Sequence, residues 1–277
     1  MSAAQALTAR EVAGPAVETS SRLRPDAPPH IEFRNVSAFY GSKQVLRNIS
    51  FKVPRNSVLG IIGPANSGKT TLLKTINRTL DFIDGARFTG EVLINGENVA
   101  DIRNPNELRR RIGMVFPLPV GLPMTIYENV AYAPRRMGIT SRPALDEIVE
   151  RCLRQSVLWD EVKDRLQMLG TRLSGGQQQR LTLARALSLS PEILCLDEFS
   201  IAIDPVTTMR IEEVLKELRK SMTIMLVTNL VQQARRLSND TLFLMASEMV
   251  EHSPTDVAFG PQPGDQRTHD YVNAVFG

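Results

Sequence analysis

Gly63-Pro-Ala-Asn-Ser-Gly-Lys-Thr70 decides how the rest of the chain is read. Two glycines, a lysine and a hydroxyl residue at the spacing G-x-x-x-x-G-K-[ST] form a phosphate-binding loop when a strand precedes them and a helix follows. Both conditions are met. Residues 57–62 (Ser-Val-Leu-Gly-Ile-Ile) are a short apolar run suited to a buried parallel strand, and 71–79 continue in helical character. A Gly-rich turn at a helix N-terminus is an anion site, because inward-turned N–H groups and the helix dipole both present positive charge. Gly63 and Gly68 are expected to let the backbone curl round phosphates that a Cβ would crowd. Lys69 is expected to reach the β- and γ-phosphates of a nucleotide such as ATP, and Thr70 to offer its hydroxyl to Mg2+. Pro64, Ala65, Asn66, Ser67 and Thr71 complete the expected cradle. The competing reading is a strand–helix turn that happens to carry glycines and a surface lysine.

Composition restricts the setting. The 277 residues are 42% hydrophobic and 23% charged, which allows one large domain or two smaller ones. A net charge of +3, with Lys and Arg scattered rather than striped, gives no basis for a nucleic-acid partner. Cys152 and Cys195 have neither a redox nor a metal spacing, so no disulfide is expected and a reducing compartment fits. No apolar run approaches the length of a membrane span, and the N-terminus lacks the layout of a signal peptide. The expectation is a soluble chain whose membrane role, if any, comes from docking.

Residues 1–29 are rich in Ala, Ser, Pro and Thr without a periodic apolar face, and read as a disordered tail before one domain at 30–277. Strands are expected at 31–40 and 49–53, with Gly41-Ser42 as the turn between them. Gly90-Glu-Val-Leu-Ile-Asn-Gly96 reads as a strand ended by Asn-Gly, and so as part of an antiparallel layer. Short buried strands follow at 112–116, 193–196 and 223–228, the last two each preceded by helix. Between them, 127–167 read as mainly helical, with breaks at Gly138 and Pro143. A hairpin is expected at 242–250 and a small helix at 270–276.

Two more motifs narrow the class. In Leu173-Ser-Gly-Gly-Gln-Gln-Gln-Arg180 a helix starts after Ser-Gly-Gly, so Ser174, Gly175, Gly176 and Gln177 form a second candidate anion site, or an ordinary helix cap when taken alone. With the phosphate loop upstream and an acidic strand end downstream, the string is identified as the signature of ATP-binding-cassette ATPases. In that family it presses on the γ-phosphate held by a second subunit. Ile193-Leu-Cys-Leu-Asp-Glu198 supplies the acidic end. Asp197 is expected to hold the Mg2+ shell and Glu198 to act as general base on the attacking water. Taken alone, the two carboxylates would read as a strand leaving the core.

Much of the chain from Ile31 to Gly277 resembles, more narrowly, the ATPase subunit of bacterial phosphate importers. The supporting strings are Glu107-Leu-Arg-Arg-Arg-Ile-Gly-Met-Val-Phe116, Ile126-Tyr-Glu-Asn-Val-Ala-Tyr132, Leu158-Trp-Asp-Glu-Val-Lys-Asp-Arg165 and Asp270-Tyr-Val-Asn-Ala-Val-Phe-Gly277. The resemblance implies an α/β P-loop NTPase fold with cassette-ATPase architecture. Its parts are a mostly parallel core sheet flanked by helices, an antiparallel β subdomain and a helical signature subdomain at about 118–180. It implies ATP and Mg2+ as cofactors, with a second ATPase subunit, as in a homodimer, closing over two ATP molecules. Inner-membrane permease subunits would be direct partners and a periplasmic phosphate-binding protein an indirect one, placing the chain peripherally on the cytoplasmic face. Tyr40 stands where the family stacks an aromatic ring on adenine, although a core tyrosine would look the same in sequence. Asp204 stands in the family's next loop, which aligns the two sites across a dimer.

Three departures bear on catalysis. The family's loop after Met-Val-Phe begins with a Gln that contacts Mg2+ and water; here it is Pro117, without a side-chain donor or acceptor. A His contacting the γ-phosphate should follow 224–228; here it is Asn229, which can donate a hydrogen bond but cannot carry a proton. Phe199-Ser-Ile-Ala-Ile-Asp204 replaces the usual Pro-Thr-Ser-Ala-Leu-Asp. Two readings follow: an importer ATPase with Glu198 and Asn229 at its catalytic centre, or a nucleotide-binding regulatory subunit that turns over poorly. A cassette protein acting on DNA or ribosomes is disfavoured, since there is one cassette and no coiled-coil insert.

Overall fold

The computed structural model describes residues 28–274. The expected tail therefore lies almost wholly outside the described residues, as do the last three residues of the chain. The first elements are β1 (Ile31–Tyr40), β2 (Lys43–Val53), β3 (Val58–Ile62), α1 (Lys69–Ile76), β4 (Ala86–Ile94) and β5 (Glu97–Asn98). They are followed by α2 (Pro105–Arg111), β6 (Ile112–Val115), and the helices α3 (Ile126–Arg136), α4 (Arg142–Gln155), α5 (Trp159–Val162) and α6 (Gly175–Leu187). The chain ends in β7 (Ile193–Asp197), α7 (Pro205–Leu218), β8 (Thr223–Val227), α8 (Val231–Leu237), β9 (Asp240–Met245), β10 (Glu248–Pro254), α9 (Thr255–Ala258) and α10 (Gln266–Val272).

Two sheets result. The first is antiparallel, in the order β2-β1-β4-β5. Its Asn-Gly turn forms as expected: Asn95 and Gly96 both take positive φ (55° and 82°), which a tight two-residue hairpin turn needs. The second has the order β10-β9-β3-β8-β7-β6 and is parallel from β9 to β6, with β10 antiparallel at its edge. Every residue of β3, β7 and β8 is buried, the mark of central parallel strands covered on both faces.

Period-two alternation sorts β7 and β8 between two cores. Ile193, Cys195, Met225 and Val227 face the antiparallel sheet and α1, whereas Leu194, Leu196, Ile224 and Leu226 face α3, α4, α6 and α7. The buried residues of α3 and α4, such as Val130, Val149 and Leu153, belong to this second cluster, so the helical segment packs onto the sheet rather than standing off it. Both cysteines are buried and free.

Three local expectations shift. Strand β2 begins earlier than expected, at Lys43, because its pairing with β1 starts straight after the turn. Pro143 is not a break: it lies in the first turn of α4, where no N–H partner is lost. The last helix spans Gln266–Val272 rather than 270–276, started by Asp265, whose side chain accepts the Arg267 N–H.

Candidate nucleotide site

The loop after β3 is shaped by glycine, for a reason different from the one read in the sequence. Gly63 (φ +146°) has the carbonyl oxygen of Leu244 2.0 Å from where a Cβ would stand, and Gly68 (φ +102°) has that of Val45 2.6 Å away. The crowding comes from the protein's own β9 and β2, so both glycines are fixed before any ligand arrives. Pro64, Ala65 and Asn66 are exposed on the outer turn, with Asn66 in the left-handed region (φ 62°). Helix α1 starts at Lys69 without a side-chain cap, which leaves its first-turn N–H groups to an anion.

Lys69 is buried, and its Nζ donates to the carbonyl oxygens of Gly63 (2.8 Å) and Pro64 (2.9 Å). Burial lowers its pKa, while the nearby carboxylates of Glu198 and Asp197 pull it back up. The Tyr40 hydroxyl lies 3.2 Å from Thr71 Oγ1, so the half-buried ring stands beside the start of α1.

Asp197 ends β7 only 1% exposed, and burial raises its pKa above the usual carboxylate range. The Thr70 side chain is close enough to work against that rise, but neither carboxylate oxygen has a well-formed hydrogen bond among the described residues. The Ser67 hydroxyl is likewise buried without a partner. An uncompensated buried carboxylate beside a lysine and a threonine hydroxyl is the chemistry a hard cation with its phosphates would complete. Among the described residues no cluster of three or more His, Cys, Asp or Glu is found, and Mg2+ held through one or two protein groups plus phosphates needs none. The residues therefore fit Mg2+ and a nucleotide: Thr70 and Asp197 would hold the ion, and Lys69 with the loop N–H groups would hold the phosphates.

Glu198 is set apart from the strand. Its N–H still bonds Val227 O (2.8 Å), but its φ of 46° puts a non-glycine residue in the left-handed region, which turns its side chain away from the ladder direction. Asn229 Nδ2 donates directly to Glu198 Oε1. The structure thus brings the phosphate loop, Asp197, Glu198 and Asn229 to one end of the parallel sheet.

The signature lies elsewhere on the chain's surface. Ser174 is exposed and caps α6 in a reciprocal box: its Oγ accepts the Gln177 N–H (3.4 Å) and its own N–H reaches Gln177 Oε1 (3.1 Å). Gln177 Nε2 and Arg180 both bond Glu161, at 2.8 and 2.5 Å. A Cβ on Gly176 would stand 2.7 Å from Ala202 O, so the signature abuts the loop that follows Glu198. Pro117 begins a segment laid over α6: Gln179 Nε2 donates to Phe116 O (2.8 Å) and Arg185 Nη1 to Val120 O (3.1 Å). Leu118 within it is 78% exposed.

Residues 46–200 match the family model described as "ABC transporter". The chain belongs to the ABC transporter family. As an ABC ATPase subunit it is 45% identical, over 89% of its length and 91% of the relative's, to the "Phosphate import ATP-binding protein PstB" of Shewanella denitrificans. Solved ABC structures share its fold. A bacterial Atm1-family ABC exporter with ATP bound matches at TM-score 0.71 and 26% identity over 84% of this chain, which spans 41% of the exporter chain. The post-hydrolysis dimer of the ATP-binding cassette MJ0796, bound to ADP and Pi, matches at TM-score 0.70 and 28% identity over 81% of this chain and 98% of that one. The mixed sheets flanked by helices are thus those of a P-loop ABC ATPase. Among the described residues no helix is long and apolar enough to cross a membrane.

Two groups near the ABC ATPase site are invisible to motif reading. Tyr271 of α10 stacks on Phe243 (centroids 4.8 Å apart), which pairs with Ile62, the residue before Gly63. Gln233, Glu212 and Arg236 form a polar cluster behind the loops that follow β7 and β8. For the second group one signal was present: Gln233 is the polar member of the buried stripe that it forms with Ala234 and Leu237 on α8.

Proposed function

We propose that this ABC ATPase subunit hydrolyses ATP to drive import of inorganic phosphate through membrane permease subunits. The observation that carries the substrate is the identity to the phosphate-import relative, sustained over nearly the whole of both chains. In this reading Lys69 and the loop N–H groups bind the β- and γ-phosphates, and Thr70 and Asp197 would hold Mg2+, which when bound would offset negative charge on the phosphates. Glu198 takes the proton of the attacking water, and Tyr40 carries the adenine. Ser174, Gly175, Gly176 and Gln177 serve the site of a second copy, which fits the exposure of Ser174 and Gly175 and the side-chain bonds of Ser174 and Gln177, which stay within the signature and Glu161.

A second reading is favoured by one contact. Asn229 donates to Glu198 itself, so the amide in place of the family's His engages the proposed base. Together with Pro117, this supports turnover slower than that of relatives with His and Gln, and at its limit a regulatory subunit that binds ATP and closes on it. Uptake of labelled phosphate by cells lacking their own importer ATPase separates the cases. Restored uptake that Lys69→Ala abolishes supports the importer. A chain that binds ATP and joins the permeases without restoring uptake supports the regulator.

A further inference from the structure

Gln233 lies on α8, outside every motif, and is 1% exposed. Both ends of its amide are engaged. Oε1 accepts the Thr228 hydroxyl at 2.9 Å, while Nε2 donates to Ser200 Oγ at 3.3 Å and to Glu212 Oε1 at 3.2 Å. Thr228 immediately precedes Asn229, and its Oγ1 also accepts the Leu230 N–H at 3.0 Å. Ser200 follows Glu198 by two residues. One buried side chain therefore holds both loops of the catalytic end. Glu212, 2% exposed, is compensated by Arg236 through two bonds of 2.8 and 2.7 Å, so its carboxylate anchors the amide's orientation.

The demand is specific. One acceptor and two donors on a single planar group are what Gln or Asn offers, and Asn is one methylene shorter. Glu at 233 would lose both donors and set a second carboxylate against Glu212. A hydrophobic residue would take away the acceptor of the buried Thr228 hydroxyl and the donor to Ser200 Oγ, leaving Glu212 to Arg236 alone.

We propose that Gln233 is a positioning residue that locks the loop carrying Glu198 to the loop carrying Asn229, so that the two move as one body. The loops are already joined at the surface by the Asn229–Glu198 bond. That bond engages Oε1 of the residue meant to receive a water proton, and being exposed it is free to change during a reaction cycle. The buried tie keeps the register while the exposed one changes. The catalytic side of this inference rests on the ATPase reading above; the mechanical side does not.

Hydrogen–deuterium exchange on the full chain without nucleotide tests the mechanical side. Ser200→Ala removes one end of the tie with little volume change. Exchange is expected to rise roughly fivefold both at 199–204 and across the structure at 228–232. A rise confined to 199–204 would overturn the proposal. For the catalytic side, Gln233→Met should lower ATP turnover about tenfold while ATP affinity by calorimetry stays within about twofold, and Ser200→Ala should add little on top of it. Equal loss of affinity and turnover, or full additivity of the two changes, would contradict a positioning role. If Gln233→Met does not fold, Ser200→Ala alone carries the test. A parent that binds ATP without hydrolysing it counts against the ATPase reading, while the exchange result still decides the coupling.

Discussion

On the β3 side of the site, shape comes from backbone: Gly63 and Gly68 are pinned against the Leu244 and Val45 carbonyls, and α1 offers N–H groups that no side chain caps. On the β8 side, shape comes from side chains: Asn229 on Glu198, and Gln233 joining Thr228 to Ser200. The first side keeps the residues expected of the family, and the second keeps Glu198 but carries Asn229 where a His was expected. A backbone-built anion site tolerates little change, because a Cβ at either glycine meets carbonyl oxygen. A side-chain wall can be altered one group at a time while a buried tie holds its geometry. On this reading binding belongs to the first wall and the rate of hydrolysis to the second.

Glu198→Gln attacks the second wall hardest. Turnover should fall on the order of 10²- to 10⁴-fold with ATP affinity retained, as removal of a general base does. Phosphate release and calorimetry on the same preparation would separate the two effects, and a variant that still turns over normally would remove Glu198 from the reaction. Lys69→Ala attacks the first wall. ATP affinity should fall on the order of 100-fold, because charge-assisted hydrogen bonds to two phosphates are lost. Unchanged affinity in a titration would mean that nucleotide does not sit in this loop.

Asp197→Asn sharpens the comparison through stability. Burial holds the Asp197 carboxyl above its ordinary range, so the folded state is penalised as pH rises from the unfolded value, about 3.9, through the folded one. Below that window the group is protonated in both states and the penalty is absent. The amide carries no charge, so the metal-free variant should melt higher than the parent at neutral pH, a gain that shrinks as pH falls toward about 4. The same variant should lose the Mg2+ dependence of ATP binding. A lower melting temperature at neutral pH would show that the Asp197 carboxylate stabilises the fold and contradict the penalty assigned to it.

How much of this the sequence disclosed follows the same division. The phosphate loop was legible because backbone demands leave few residue choices: glycine where φ is positive, and a lysine and a hydroxyl at set spacing. The order of short apolar strands was legible because β3, β7 and β8 are buried on both faces and read as unbroken runs. The reason for Gly63 and Gly68 was not, since it lies in carbonyls from β9 and β2, and Leu244 is far away in sequence. The Gln233 tie was hidden for a similar reason. Its partners Ser200, Glu212 and Thr228 come from three separate segments, and a glutamine beside Ala234 on a buried helix face does not disclose what its amide bonds. The shifted last helix reflects a cap at Asp265 that the apolar pattern alone did not outrank.

Steady-state ATPase and ATP affinity of Asn229→His against the parent test the division between the two walls most directly. An imidazole at this position restores the family's γ-phosphate contact and frees Glu198 from the amide. It acts on charge that develops during phosphoryl transfer, so turnover should rise on the order of tenfold while the dissociation constant stays within about twofold. Pro117→Gln should raise turnover further, though not additively if the two groups share one water. Parent turnover already at the level of the Asn229→His variant, or a change in affinity as large as the change in rate, would contradict the assignment of rate to this wall.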